Sequence, residues 1–348
     1  MTGTVLFAVP GDLDAATGGY AYDRRMIAEL RELGWTVGLL PLSARFPSPG
    51  PEDLAAADAA LRSVDAGAAV LIDGLAFGAM PEVARRHAGR LRLVALVHHP
   101  LALESGLSPE AAFTRAASER AALASAAHVV ATSAFTARQL QRDYGVDPDR
   151  LSVVRPGTDP GPPRRAAGDP PLILSVGALV PRKGHDLLVA ALAGLTDLAW
   201  CCRIVGPLDR DPSAAALIGQ AIDAAGLGRR IALVGQVADV RAEMAHADLF
   251  VLPSRHEGYG MALAEAISQG LPIVACAAGA VPDLVPPDAG VLVPVDDVVA
   301  LGAALRSLLS EPARRAAFAA GALRAAGALP NWAGSARDLA RALSDTAP

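Results

Sequence analysis

Asp248-Leu249-Phe250-Val251-Leu252-Pro253-Ser254-Arg255-His256-Glu257-Gly258-Tyr259-Gly260-Met261-Ala262-Leu263-Ala264-Glu265-Ala266 opens with an unbroken apolar run and closes with an Ala- and Leu-rich one. The run 249–252 is short and ends at Pro253, so it reads as a buried strand. Gly258 and Gly260 interrupt the pattern and mark a loop. Residues 260–269 then read as a helix. A buried strand that runs through a short loop into a helix is the repeating unit of a parallel α/β sheet. Glu265 stands about one and a half turns into that helix, at ~3.6 residues per turn. Its neighbours Met261, Ala262, Leu263, Ala264, Ala266 and Ile267 are apolar. A carboxylate in such a setting needs a partner. This reading places Glu257 at the mouth of the loop and Glu265 deeper along the helix. Two acceptors offset in this way suit hydroxyls on two different sugars of one ligand.

The same alternation extends outward over the whole chain. Strands are expected at 5–9, 35–40, 69–73, 91–98, 128–131 and 151–154. Helices are expected between them at 20–33, 52–64, 81–87, 109–126 and 133–144, the first preceded by a Gly-rich loop over 10–19. The segment 155–171 is the densest in Pro and Gly and reads as a linker. Alternation then restarts, with strands at 172–176, 200–205, 231–234, 249–252 and 272–275. Helices are expected at 185–193, 212–225, 239–245, 260–269, 298–309, 312–326 and 331–344. The expected architecture is α/β, with two Rossmann-like domains at 1–160 and 170–330 facing across a cleft and a final helix within 331–348. Ligands of open α/β sheets bind at the carboxyl ends of the strands. A cleft between two domains suits a reaction with two substrates.

Composition narrows the function. The chain has 348 residues, 52% of them hydrophobic and 19% charged, ample for two packed cores. Net charge is −5 and the basic residues are scattered, which argues against nucleic acid as a partner. Cys201, Cys202 and Cys276 lack metal-ligand spacing and read as buried thiols of a reducing compartment. The first nine residues carry no basic cluster and lead straight into a strand, so no signal peptide is expected. No apolar run reaches bilayer length. The chain is expected to be soluble and cytoplasmic, with peripheral contact at the inner membrane face left open.

Of 31 Lys and Arg residues one alone is a lysine, Lys183. It stands in Ser175-Val176-Gly177-Ala178-Leu179-Val180-Pro181-Arg182-Lys183-Gly184-His185, which joins a strand to a helix. Gly177 permits close backbone approach to a ligand. The helix N-terminus offers free N–H groups and positive dipole character to an anion. Arg182 and Lys183 add two positive charges, which makes a diphosphate cradle. It is not a Walker loop, whose spacing is absent. A solvated surface loop with two charges is the alternative.

The string from Asp248 to Ala266, with Glu257 and Glu265 separated by seven residues, resembles the Glu-x7-Glu signature of retaining glycosyltransferases of family 4, which have the GT-B fold. Gly18-Gly19 resemble that family's N-terminal glycine loop, and Val97-His98 its strand-end His. Pro156-Gly157-Thr158-Asp159 resembles its Pro-Asn-Gly-Val-Asp turn with Asn missing, and Gly177 to Gly184 its donor loop. Gly206 and Gly235-Gln236 stand where the family has strand-end turns. Pro272 to Val285 resembles its Gly-Gly-x-Pro-Glu loop.

The resemblance implies an acceptor-binding N-terminal domain, a donor-binding C-terminal domain and a final helix crossing back to the first. Lys183 and Arg182 would hold the diphosphate, with Gly258, Tyr259 and Gly260 offering backbone N–H groups. Glu265 would accept from the ribose, Glu257 would face the transferred sugar, and His98 would lie near the anomeric centre. The donor would be a UDP-, GDP- or ADP-sugar, the acceptor is not named, and no metal or other cofactor is expected, with Lys183 and Arg182 standing in for a divalent metal.

The chain departs from the family at Ala178 in place of Arg, at Ala280 and Asp283 in place of Gly and Glu, and at His99 in place of Asp. These put phosphate and sugar contacts in doubt, and leave His99 beside His98 as an alternative imidazole. A GT-B phosphorylase with pyridoxal phosphate on Lys183, a sugar epimerase and a non-catalytic nucleotide-sugar sensor remain alternatives. An NAD-dependent oxidoreductase does not, since Gly-x-Gly-x-x-Gly is missing from both sheet starts.

Overall fold

The computed structural model describes residues 3–104, 106–162 and 168–345. Residues 1–2, residue 105, part of the expected linker (163–167) and part of the expected final segment (346–348) lie outside the described residues. The chain divides into two units. One comprises the described residues up to Gly157 together with those from Pro330 onward, and the other is Thr158–Leu329.

The first unit carries β1 (Thr4–Pro10), β2 (Thr36–Leu42), β3 (Ala69–Asp73), β4 (Arg92–Val97), β5 (His128–Ala131) and β6 (Leu151–Val153). They form one sheet in the order β2-β1-β3-β4-β5-β6, parallel throughout. The second unit carries β7 (Leu172–Val176), β8 (Cys201–Val205), β9 (Ile231–Gly235), β10 (Leu249–Leu252), β11 (Ile273–Cys276) and β12 (Gly290–Val293). Their order is β12-β11-β10-β7-β8-β9, again parallel. β3, β5, β10 and β11 are buried at every residue. Their continuous Val, Ile, Leu and Ala content follows from helices covering both sheet faces.

The strand order reverses between β1 and β3 in the first sheet and between β7 and β10 in the second. Such reversal points splay the loops at the carboxyl strand ends and open a crevice. His98 directly follows β4 and Asp73 ends β3, while Lys183 lies after β7 and Glu257 after β10.

The helix Trp332–Asp345 packs on the helix Gly18–Glu32, so the chain's last described helix completes the first unit. Trp332 anchors it. The side chain is 6% exposed, meets Tyr22 edge-on at 6.0 Å and carries the Arg25 guanidinium 5.0 Å from its ring centroid. A side chain at Gly157 would collide with the Trp332 backbone, so the chain leaves the first unit where only glycine fits.

Three local expectations are corrected. Gly18 and Gly19 form the first turn of a helix rather than a loop, because the Thr17 hydroxyl caps it by accepting from Tyr20 N–H at 3.2 Å. The strand β12 was missed. It is a four-residue edge strand paired to β11 alone, and its two central residues are partly exposed. The short helices Gly74–Phe77 and Val281–Leu284 were also missed, being single turns with little periodicity to read.

Candidate functional site

The donor-loop segment leaves β7 at Val176, passes Gly177 and makes a tight 3-10 turn at Pro181–Lys183. Gly184 then adopts φ +68 and starts the helix His185–Ala193. A side chain on Gly184 would run into the Pro253 carbonyl, so glycine brings this loop against the end of β10. The approach places Lys183 beside Glu257. The ammonium donates to Glu257 Oε1 at 2.6 Å, with side-chain exposures of 18% and 7%. Gly177 packs against the lysine stem. Arg182 donates from Nη1 to the His256 carbonyl at 3.0 Å.

Arg255, which carried no role in the sequence reading, fastens the two loops together. Its backbone N–H donates to the Arg182 carbonyl at 2.7 Å, and its guanidinium reaches Asp186 at 2.7 and 3.0 Å and Asp296 at 2.7 Å. The Ala280 N–H donates to the Glu257 carbonyl at 2.9 Å and ties in a third loop.

The order of depth expected for the two carboxylates is reversed. Glu257 is the buried one, and Glu265 is partly exposed. Burial works against the Glu257 charge, but Lys183 and Arg182 outweigh it and hold the carboxyl below its usual range. Glu265 stands in the helix Met261–Ser268, which starts after Gly258, Tyr259 and a left-handed Gly260 at φ +96. Burial pushes it up to about 7 against the pull of Arg241, with Asp159 and Asp239 pushing the same way as burial. Its carboxylate has no hydrogen-bond partner among the described residues. The two acids therefore occupy different electrostatic surroundings. Gly235 ends β9 with φ +79, and its carbonyl accepts from Gly206 N–H at 3.0 Å.

His185, not singled out from sequence, is 1% exposed at the first helical position after Gly184. Burial, and then the Lys183 charge, push its imidazole down to about 4, so the ring is neutral. Both His185 ring nitrogens, the Arg182 Nε and the Ser175 hydroxyl are buried without a hydrogen-bond partner among the described residues. Buried polar atoms of this kind favour a polar ligand or ordered water beside them.

In the first unit, His98 Nε2 lies 3.3 Å from Asp23 Oδ1 and 3.6 Å from Asp73 Oδ2. Asp23 and Asp73 are 0% and 1% exposed. Neither was singled out from sequence. The available signals were an acid within the buried stripe Tyr22, Met26, Ile27 and Leu30, and an acid closing an apolar strand. His99 is engaged elsewhere, with Nε2 2.8 Å from Glu104 Oε1. Asp23, Asp73 and His98 are the one group of three among the described residues whose ligand-type atoms lie within 4.8 Å of one another, close enough to share a proton or a metal ion. Gly18 and Gly19 start the helix that carries Asp23. No described helix is long and apolar enough to cross a membrane.

Comparison with known proteins agrees with this geometry. A D-inositol 3-phosphate glycosyltransferase of Thermomonospora curvata is 34% identical over 260 residues, covering 64% of this chain and 58% of that protein. The chain thus spans less than two thirds of the length of that relative. Among solved structures, sucrose-phosphate synthase of Thermosynechococcus elongatus superposes with a TM-score of 0.81 over 99% of both chains at 22% identity. The Anabaena protein HepE in complex with UDP-glucose gives 0.76 over 98% of this chain and 99% of its own, at 20% identity. Both likenesses establish the two-domain GT-B fold. The model of glycosyl transferases group 1 matches residues 162–324, and that of glycosyltransferase family 4 matches residues 21–161. With residues 21–324 accounted for in chain order by the two models together, the chain belongs to the family 4 glycosyltransferases.

Proposed function

We propose that this chain transfers a hexosyl group from a nucleotide-diphosphate sugar to an acceptor hydroxyl, with retention of configuration and without a metal ion. The observation that carries the reading is the loop pair at the reversal point of the second sheet. There Lys183, Arg182 and the first turn of the helix at His185 converge beside a buried carboxylate.

As the glycosidic bond breaks, negative charge grows on the leaving diphosphate. Lys183 and Arg182 stabilise that charge, taking the part a divalent cation would otherwise play. The unpartnered Arg182 Nε–H and a His185 ring N–H are donors a diphosphate would use. Glu257 keeps Lys183 oriented, and its second oxygen serves the transferred sugar. Gly177, Gly235, Gly258, Tyr259 and Gly260 line the nucleotide. Glu265 accepts from the ribose hydroxyls.

On the retaining route the anomeric carbon–oxygen bond to phosphate breaks and a bond to the acceptor oxygen forms on the same face. The acceptor's proton passes to the departing phosphate oxygen. Acceptor binding is assigned to the first unit, with His98 as its polar side chain toward the sugar. The names of the curated relatives make an inositol phosphate the first acceptor to test.

The test is a thermal shift with UDP, GDP and ADP, each with EDTA and then with magnesium. A ligand at about 100 times its Kd adds roughly 2.7 kcal/mol. One nucleotide is expected to raise the melting temperature equally in EDTA and in magnesium. No shift with any of the three would count against the donor site, and a shift only with magnesium would overturn metal independence. Glu265→Ala is expected to raise the donor KM by about tenfold and leave kcat within about twofold, since a ribose contact contributes equally to ground and transition states. A loss confined to kcat would contradict the ribose assignment.

A further inference from the structure

His98 is fixed on one edge only. Asp23 approaches from the helix Gly18–Glu32 and Asp73 from the end of β3, and both carboxylates meet the same ring atom, Nε2. Gly19 closes that edge further, since a side chain there would stand 3.3 Å from His98 Cδ2 and 3.5 Å from Nε2. Tyr22 packs edge-on against the ring, with centroids 5.3 Å apart. The Thr132 hydroxyl holds the backbone by donating to the His98 carbonyl at 3.2 Å. The side chain nevertheless keeps 18% of its exposure, and Nδ1 has no hydrogen-bond partner among the described residues.

Two buried carboxylates differ in consequence from one. A single carboxylate beside an imidazole fixes its tautomer and leaves the far nitrogen free to accept a proton, as in a hydrolase triad. Here one Asp23 oxygen faces Nε2 while the other, Oδ2, has no hydrogen-bond partner among the described residues. Asp73 spends Oδ1 on the Leu75 N–H at 2.7 Å and turns Oδ2 toward the ring. Among the described residues neither buried acid forms an ion pair with Lys or Arg, and the imidazole is placed to supply a positive charge to both.

We propose that Asp23 and Asp73 act together as positioning residues that hold His98 as an imidazolium, so that its Nδ1–H is a permanent donor to a ligand oxygen and the ring does not work as a general base. This deepens the reading of His98 given above and rests on it for the identity of the ligand, which would be a sugar or phosphate oxygen. Burial opposes the charged ring, but the hydrogen bonds and charges of Asp23 and Asp73 prevail and push His98 up to about 10. Burial likewise pushes Asp23 up to about 7, with Asp73 pushing the same way and His98 pulling against them. The other titratable groups nearby do not compete. Tyr22 lies well above its ordinary range through burial, and then through Asp23, and its hydroxyl donates to the Val154 carbonyl at 3.1 Å. His99 is engaged with Glu104. With the folded value raised above the ordinary one, the imidazolium persists at neutral pH and is lost only as pH rises through the folded value.

The experiment is a pH titration of the histidine ring nitrogens by NMR on 15N-labelled full-length protein, with His98→Asn identifying the His98 signals. Both His98 nitrogens are expected to stay protonated from pH 6 to beyond about pH 8, above the ordinary histidine range. Asp23→Asn and Asp73→Asn should each lower the midpoint by one unit or more, the usual scale for a close opposite charge. Asp23→Glu serves as the rescue variant, and the wild-type titration decides by itself if an Asn variant does not fold. A wild-type midpoint at or below about 7 would overturn the proposal. So would a neutral ring whose signals change only on adding zinc chloride, which would give the cluster to a metal ion. The readout uses neither donor nor acceptor, so its failure is distinct from a failure to find sugar transfer.

Discussion

Lys183→Ala is expected to lower kcat by about 1000-fold, the scale seen when one fixed donor is removed from a developing negative charge. The structure adds a consequence that sequence alone did not show. Lys183 is the partner of a buried carboxylate at 2.6 Å. Removing it strands Glu257, whose burial then pushes it toward protonation. The variant should therefore melt a few degrees lower while keeping its circular dichroism. Lys183→Arg separates the two effects. It restores a positive charge beside Glu257 and should recover stability, but a planar guanidinium cannot reproduce a compact ammonium at the same point. Turnover of Lys183→Ala within about tenfold of wild type would sink the assignment of Lys183 to the leaving group.

Trp332→Ala should strongly destabilise the first unit. Truncating a buried Trp costs about 3–5 kcal/mol. In a domain of this size each kcal/mol corresponds to about 2–4 °C, so the melting temperature should fall by roughly 10 °C. Trp332 carries three contacts at once: Tyr22 edge-on, Arg25 over its face and the close approach of Gly157. Tyr22 in turn packs on His98, so loosening the final helix should also disturb the imidazole. Trp332→Phe should keep most of the stability. A fall of less than about 3 °C in Trp332→Ala would show that the helix Trp332–Asp345 is not held by this anchor.

Much of the fold was legible because parallel α/β sheets write themselves locally. Buried strands such as Leu249–Leu252 are apolar at every position, and their flanking Gly and Pro mark where they stop. What failed to show were elements too short for a period to register. β12 has four residues, and the helix Gly74–Phe77 has one turn. The capped start at Thr17 was hidden for another reason. Two glycines suggest a loop, and the hydroxyl and carbonyl of Thr17, which accept from the Tyr20 and Ala21 N–H groups, recruit them into the helix.

The candidate site divides along the same line. Residue type and spacing sufficed to single out Lys183, Arg182, Glu257 and Glu265, because a lone lysine in a strand-helix loop and a carboxylate in an apolar helix are conspicuous in a row of letters, while His98 came from the family resemblance alone. Pairing was not available there. Lys183 meets Glu257 across 74 positions, and Asp23 meets His98 across 75. Which of the two glutamates lies deeper, which histidine faces two buried carboxylates and which charges are cancelled depend on strand order, and strand order is fixed by how the sheets pack. The sequence by itself determined that two α/β units exist and which side chains could bear chemistry. The tertiary structure alone decided their partners, and with them their charges, since a charge in a protein is set by what lies within a few ångströms in space and not by its neighbours along the chain.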